Sequence, residues 1–344
     1  MADSTILTEQ DRQQIRENGL TDDHVHAQVD LLRRGFAATN LDRPCILGDG
    51  IRQFSTLDSN RYERIFRVAV GKGRICKFVP ASGAGTRMFQ ALLSIQKACP
   101  RLTRAYLESK ASLEPEALEV LHFFEELPNL AVYRALEGIM GAPALEVARS
   151  GGNYYLIADV LLSPDQLNYP ERPKGLLPFH DYGDHFRTPV EEHLAEAAAY
   201  AQDSSGRVRL HFTIARENQE IFEDHINGAI QSYECGHQLF DVTCSSQKRS
   251  TDTIALSESN ELIRENDDRI LFRASGHGAL LENLNEIDCD IVLIKNIDNV
   301  SVSDRLDEIS RYKRILGGLL IETQLRIFGF LELLEHAEGD EPFV

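Results

Sequence analysis

Lys77-Phe78-Val79-Pro80-Ala81-Ser82-Gly83-Ala84-Gly85-Thr86-Arg87-Met88-Phe89 is the stretch around which the chain is organised. Residues 75–79 form a short, mostly apolar, β-prone run, the pattern of a buried strand. The run enters a loop of small residues with glycines at 83 and 85, and an apolar helical pattern opens at Met88. A strand that ends in a glycine loop and starts a helix makes an anion cradle. Backbone N–H groups can approach a phosphate where no Cβ intervenes, and a helix N-terminus adds partial positive charge. Arg87 adds a planar fork suited to a polyphosphate. The same residues also fit a plain tight turn between strand and helix. Two familiar phosphate loops are excluded: no Gly-Lys-Ser/Thr follows, and Met88 stands where a dinucleotide fingerprint has its third glycine.

At 344 residues and 38.7 kDa the chain can hold one large α/β domain or two smaller ones. A net charge of −18 speaks against a broad nucleic-acid or anionic-membrane surface. From Arg61 to Arg104, however, ten Lys/Arg stand against a single acid, Glu63, and the glycine loop lies inside this basic window. The window reads either as focusing for an anionic ligand or as a solvated helix face. Six scattered cysteines, with no Cys-x-x-Cys pair, fit reduced buried thiols. No leader pattern or membrane-length apolar run occurs, so a cytoplasmic location is expected.

In chain order, Thr8 and Thr21 are suited to cap helices ending near Gly19 and Gly35. A loop-rich segment, 41–59, precedes a helix at about 60–70. Residues 89–166 are rich in Leu, Ala and Glu and divided by Pro100, Pro115, Pro128 and Pro143, as in an inserted helical subdomain. A helix headed by Thr188-Pro189, a strand at 208–215, a helix at 217–232 and a strand at 239–244 follow. Strands alternating with helices imply a mainly parallel sheet with helices on both faces. Residues 303–337 carry a helical apolar period.

Gly83-Ala84-Gly85-Thr86-Arg87-Met88 resembles the signature of the nucleoside-diphosphate-sugar pyrophosphorylases, the sugar-1-phosphate nucleotidyltransferases. Pro173-Lys174-Gly175-Leu176-Leu177-Pro178 resembles their second signature. Gly276-His277-Gly278, followed by an apolar strand and Asn296-Ile297-Asp298-Asn299, is similar to the UDP-sugar pyrophosphorylase branch. The combined motifs also look like an uncharacterised bacterial branch of that superfamily. The resemblance spans roughly residues 75–300. It implies a three-layer αβα, GT-A-like domain with a mostly parallel sheet, a helical N-terminal arm (1–72), a transferase-like body (73–302) with the helical insertion 89–166, and a helical tail (303–344).

The implied reaction is Mg²⁺-dependent nucleotidyl transfer, UTP preferred, to a sugar 1-phosphate with release of pyrophosphate. Arg87 would grip the phosphates that leave, and Lys174 would sit between nucleophile and α-phosphate. Ala81, Ser82, Gly83, Ala84, Gly85 and Thr86 would line the nucleotide, with backbone donors at Gly83, Ala84 and Gly85. Gln247, Gly276 and His277 would face the base, and Asp298 would hold Mg²⁺. Each has a duller reading: a loop lysine at 174, an Asx turn at 298, a structural histidine at 277. The cluster His180, Asp181, Asp184 and His185 has a metal-like composition but no recognised ligand spacing. Two departures stand out. Arg87 and Lys174 are separated by a segment too long for a structureless loop, so the insertion must be extruded if they are to meet. After Asp298 the strands carrying a second metal-binding aspartate and the sugar pocket have no clear counterpart. The rival expectation is therefore a catalytically silent nucleotide binder, and a third is a helical interaction module.

Overall fold

The computed structural model describes residues 7–233 and 238–337. The chain divides into two compact units, one of residues 1–61 with 245–288, the other of residues 62–244 with 289–344.

The larger unit is mixed α/β. Its sheet has four strands in the order Ile291–Ile294, Ile75–Pro80, Arg207–Ile214, Leu239–Ser246. Ile75–Pro80 pairs in parallel with both neighbours, Ile75 opposite Ile291 and Lys77 opposite Leu210. All six of its residues are buried, which is why it reads as a continuous run rather than an alternation. Helix Pro189–Ala201 packs Val190, Leu194 and Ala197 on Val79 and Phe212 of the sheet, and Phe222 and Ile226 of helix Gln219–Tyr233 join that core. Helix Thr56–Gly71 and the long helix Leu306–Ala337 meet a second cluster, through Phe66 and Ile321 respectively.

Between the sheet's first two strands in sequence, six helices form a bundle: Gln90–Ala98, Arg104–Lys110, Pro115–Glu126, Val132–Met140, Ala142–Ser150 and Tyr154–Leu162. They share one core, which Phe89, Tyr169 and Leu177 also join, with Leu102, Leu107, Phe124, Leu136, Leu145 and Ile157 fully buried and Phe124 stacked on Tyr154 at 4.1 Å. Pro115 opens one helix at a position where its missing N–H costs nothing.

In the smaller unit, Thr8 and Thr21 cap helices Glu9–Glu17 and Asp22–Arg34 as the sequence indicates. These helices bury Ile15, Val25 and Val29 against Ile254 and Ile270. Those partners belong to an antiparallel ribbon in which Thr253 pairs with Arg273 and Arg264 bridges Ile270. The buried Gln14 amide replaces a missing strand partner: its Nε2 donates to the Ile270 carbonyl at 2.8 Å, and its Oε1 accepts from the Ile270 N–H at 2.9 Å. Beside it, the guanidinium of Arg264 grips both oxygens of the buried Asp11 at 2.7 and 2.9 Å. Those hydrogen bonds hold the Asp11 carboxyl down at about 2, outweighing the cost of its burial.

Among the described cysteines all are free. Cys76 is buried but Cys45 is exposed, so the expectation of buried thiols fails at Cys45; Cys235 lies outside the described residues. No described helix is long and apolar enough to cross a membrane.

Candidate functional site

The sheet changes winding direction at Ile75–Pro80. The next strand, Arg207–Ile214, lies on one side of it and the last, Ile291–Ile294, on the other. In open parallel sheets the crevice outside the carboxyl ends at such a point is where ligands bind. Residues 81–87 leave one of the two flanking strands and Asp298 ends the extension of the other, since Ile297 N–H donates to the Pro80 carbonyl at 3.0 Å.

The Pro-Lys-Gly loop is stitched to the glycine loop. Gly85 N–H donates to the Arg172 carbonyl at 2.9 Å, Lys174 N–H donates to the Gly83 carbonyl at 3.0 Å, and the Thr86 hydroxyl donates to the Pro170 carbonyl at 2.9 Å. The first two bonds make a single antiparallel bridge, Ala84 opposite Pro173. Two motifs far apart in sequence thus form one surface, and the helical insertion leaves and returns between them. Lys174 Nζ then reaches Asp298 Oδ2 at 3.0 Å, with the two side chains 18% and 44% exposed. Water therefore reaches the pair, and so could a ligand.

The geometry alters the cradle anticipated from sequence. Residues 85–87 form one 3₁₀ turn, and the α-helix starts only at Gln90 with no side-chain cap, so no α-helical N-terminus lies against the glycines. The N–H of Ala81 is spent on the Thr213 carbonyl at 2.7 Å, and that of Gly85 on Arg172. A Cβ on Gly85 would stand 2.4 Å from the Tyr169 carbonyl, so this glycine serves the close approach of two backbones. Gly175 is needed for a different closeness, backbone against side chains: a Cβ there would meet the Phe222 ring at 2.6 Å and the Ile297 side chain at 3.1 Å. What remains open is Ser82, Gly83 and Ala84, exposed and with no backbone partner for their N–H groups among the described residues. Arg87 is exposed too, and has no ion pair among them.

The basic window is not gathered here. Lys77 is buried, Arg74 pairs with Asp290 at the amino end of the sheet, and Arg104 pairs with Glu108 and Glu125 on the insertion. Gln247, Gly276 and His277 belong to the other compact unit. There Gln247 bonds Asp252 at 3.4 Å, and Gly276 starts the short turn that carries His277. The His180 cluster is a hairpin whose members hold separate partners. His180 meets Glu192, Asp181 meets Arg134, and Asp184 meets His185. Among the described residues no group of three or more His, Cys, Asp or Glu is arranged to hold a metal ion.

Beneath the turn that carries Asp298 lies a buried polar network that the motifs did not reveal. The Glu196 carboxylate accepts from Lys295, stands 3.4 Å from Lys77 Nζ, and accepts from the Tyr200 hydroxyl at 3.2 Å. Burial alone would raise the Glu196 carboxyl, but the two lysine charges outweigh it and hold it low. His193, wholly buried, donates from Nε2 to the carbonyls of Asn296 and Ile297 at 3.1 and 3.2 Å. Burial, and then the charge of Lys77, push its imidazole far below the usual histidine range, so it stays neutral. The network fixes the backbone from which Asp298 projects. Its sequence signal is a lysine inside an apolar strand, Lys77, and another closing one, Lys295.

A family model described as a domain of unknown function (DUF4301) matches residues 8–343. The chain belongs to the DUF4301 family. No curated protein matches the chain. Among solved structures, the DUF4301 chain is similar to the uridine diphosphate N-acetylglucosamine pyrophosphorylase from Trypanosoma brucei, determined in complex with inhibitor. Identity is 17% and the TM-score 0.39, over 77% of this chain and 38% of that one. The chain therefore spans well under half the length of that protein.

Proposed function

We propose that the DUF4301 chain is a nucleotidyltransferase of the UDP-sugar pyrophosphorylase type, with a GT-A-like three-layer body. On this reading it joins a nucleoside triphosphate, UTP preferred, to a sugar 1-phosphate. The observation that supports it is the meeting of Gly83, Lys174 and Asp298 at the carboxyl edge of the sheet, with Arg87, exposed and without an ion pair among the described residues, in the turn that follows the glycine loop. An acceptor phosphate oxygen forms a bond to the α-phosphorus, the bond to the β-phosphate's bridging oxygen breaks, and pyrophosphate leaves. Both reactants are anions, so positioning and charge neutralisation supply the catalysis.

Arg87 holds the departing phosphates. Lys174 exchanges its partner, leaving Asp298 for phosphate oxygens when nucleotide enters. Mg²⁺, when bound, would neutralise phosphate charge and orient the leaving group. Asp298 would hold the ion, its carboxylate being the hard oxygen donor that such a cation takes. Gly83 and Ala84 offer backbone donors to the phosphates.

One observation favours a second reading, a catalytically silent nucleotide binder: Lys174 and Asp298 already satisfy each other's charge. Pyrophosphate release from UTP with Mg²⁺ and a panel of sugar 1-phosphates separates the two. The enzyme reading expects turnover that falls at least a hundredfold in Arg87→Ala and in Lys174→Ala, on the order of 3 kcal/mol of transition-state stabilisation each. Saturable UTP binding without turnover selects the silent binder, and no binding of UTP or pyrophosphate sinks both.

A further inference from the structure

A cavity of about 290 Å³ adjoins the two stitched loops in sequence and in space. Met88 and Phe89, which follow Arg87, form one wall; Leu177, Pro178 and Phe179, which follow Lys174, form another. The helical insertion borders it with Phe123 and residues 130–132, and the cavity opens to solvent past the partly exposed Met88 and Leu130. Tyr169 completes the lining, its ring 6.0 Å from that of Phe89, its phenol pushed up to about 12 by burial and therefore neutral. The chain segments that carry both candidate phosphate-binding cations thus run directly into an apolar chamber.

The lining decides what the chamber can take. Apart from the Tyr169 hydroxyl it presents no side-chain hydrogen-bonding group. A sugar seated against these walls would leave the hydroxyls on its inner face without partners, each an unmade hydrogen bond that water would have supplied. An apolar group would lose nothing and gain burial. A cavity on the order of 150 Å³ accepts a benzene ring, so this one has room for a substituted ring or a short branched chain.

We infer that the chamber binds the apolar part of an organic phosphate whose anionic head lies against Arg87 and Lys174, an aryl phosphate in preference to a sugar phosphate. The inference rests on the nucleotidyltransferase reading for the position of the head, and it adds an aryl phosphate to the sugar 1-phosphate of that reading as a further acceptor. It assigns a role to the insertion, which supplies one of the chamber's walls.

Titration calorimetry of the full chain with phenyl phosphate, glucose 1-phosphate and pyrophosphate tests this. Phenyl phosphate is expected to bind at least tenfold more tightly than glucose 1-phosphate. The double variant Met88→Gln/Leu130→Gln places two amides at partly exposed rim positions, where folding tolerates them. It should abolish that preference and leave pyrophosphate affinity unchanged. Equal affinities for the two monophosphates, or a preference that survives the double variant, overturn the inference while pyrophosphate binding keeps the phosphate site. Loss of all three ligands in the unmodified chain overturns the phosphate site together with the chamber's proposed role.

Discussion

At the scale of single residues, two glycines of one motif do different work. Gly85 is buried where two backbones cross, with no room for a Cβ beside the Tyr169 carbonyl. Gly83 is exposed, and a Cβ there would come no closer than 3.9 Å to Lys174 Cδ. Gly85→Ala must push the Pro-Lys-Gly loop away, an overpacking cost of about 1–3 kcal/mol. Gly83→Ala should stay within about 0.5 kcal/mol of wild type. Urea midpoints measured side by side check the pair, and equal midpoints would refute the division of labour. The Gly-x-Gly pattern by itself fits either a phosphate cradle or a plain tight turn, and does not separate the two glycines. The carbonyl facing Gly85 comes from beyond an intervening helical bundle, where no local pattern reaches.

At the scale of elements, local chemistry and outcome agree most closely at helix starts. Thr188 heads helix Pro189–Ala201 with a full capping box: its hydroxyl accepts from the Glu191 N–H, and the Glu191 carboxylate accepts from the Thr188 N–H at 2.6 Å. The same hydroxyl meets His225 Nε2 at 2.9 Å, tying this helix to Gln219–Tyr233. Thr188→Ala should cost about 1–2 kcal/mol, and Thr188→Ser should recover most of it. Thermal unfolding of the two variants provides the comparison, and an unchanged melting temperature in the alanine variant would mean the cap is dispensable. Thr8, Thr21 and Thr188 were legible because a cap is decided within four residues. The start of the helix after the glycine loop was not, because residues 85–87 are held by bonds to 170–172 and turn as 3₁₀ before the α-helix begins.

At the scale of the whole chain, Asp11 makes one identifiable contribution to the loss of stability in acid, alongside the buried Glu196. The folded value of Asp11, about 2, lies below the ordinary carboxylate value, so its contribution is complete above roughly pH 4 and disappears as the pH falls through about 2. The shift corresponds to about 2 kcal/mol. Asp11→Asn should therefore lie about 2 kcal/mol below wild type at pH 6 in urea unfolding. That gap should close between about pH 4 and pH 2, and a gap independent of pH would show that Arg264 does not stabilise the ionised form.

By itself the amino-acid sequence determined where the parallel strands lie, where three helices start, and that the chain between Arg87 and Lys174 had to fold as helices. Those outcomes depend on hydrophobic period and on groups a few residues apart. Only the tertiary structure decided which amides of the glycine loop stay open, that Lys174 faces Asp298, that a Lys77–Glu196–Lys295 network underlies the turn, and that an apolar chamber adjoins the two loops. Each of these depends on atoms separated by long stretches of chain, and their distances are set by packing that no local pattern encodes.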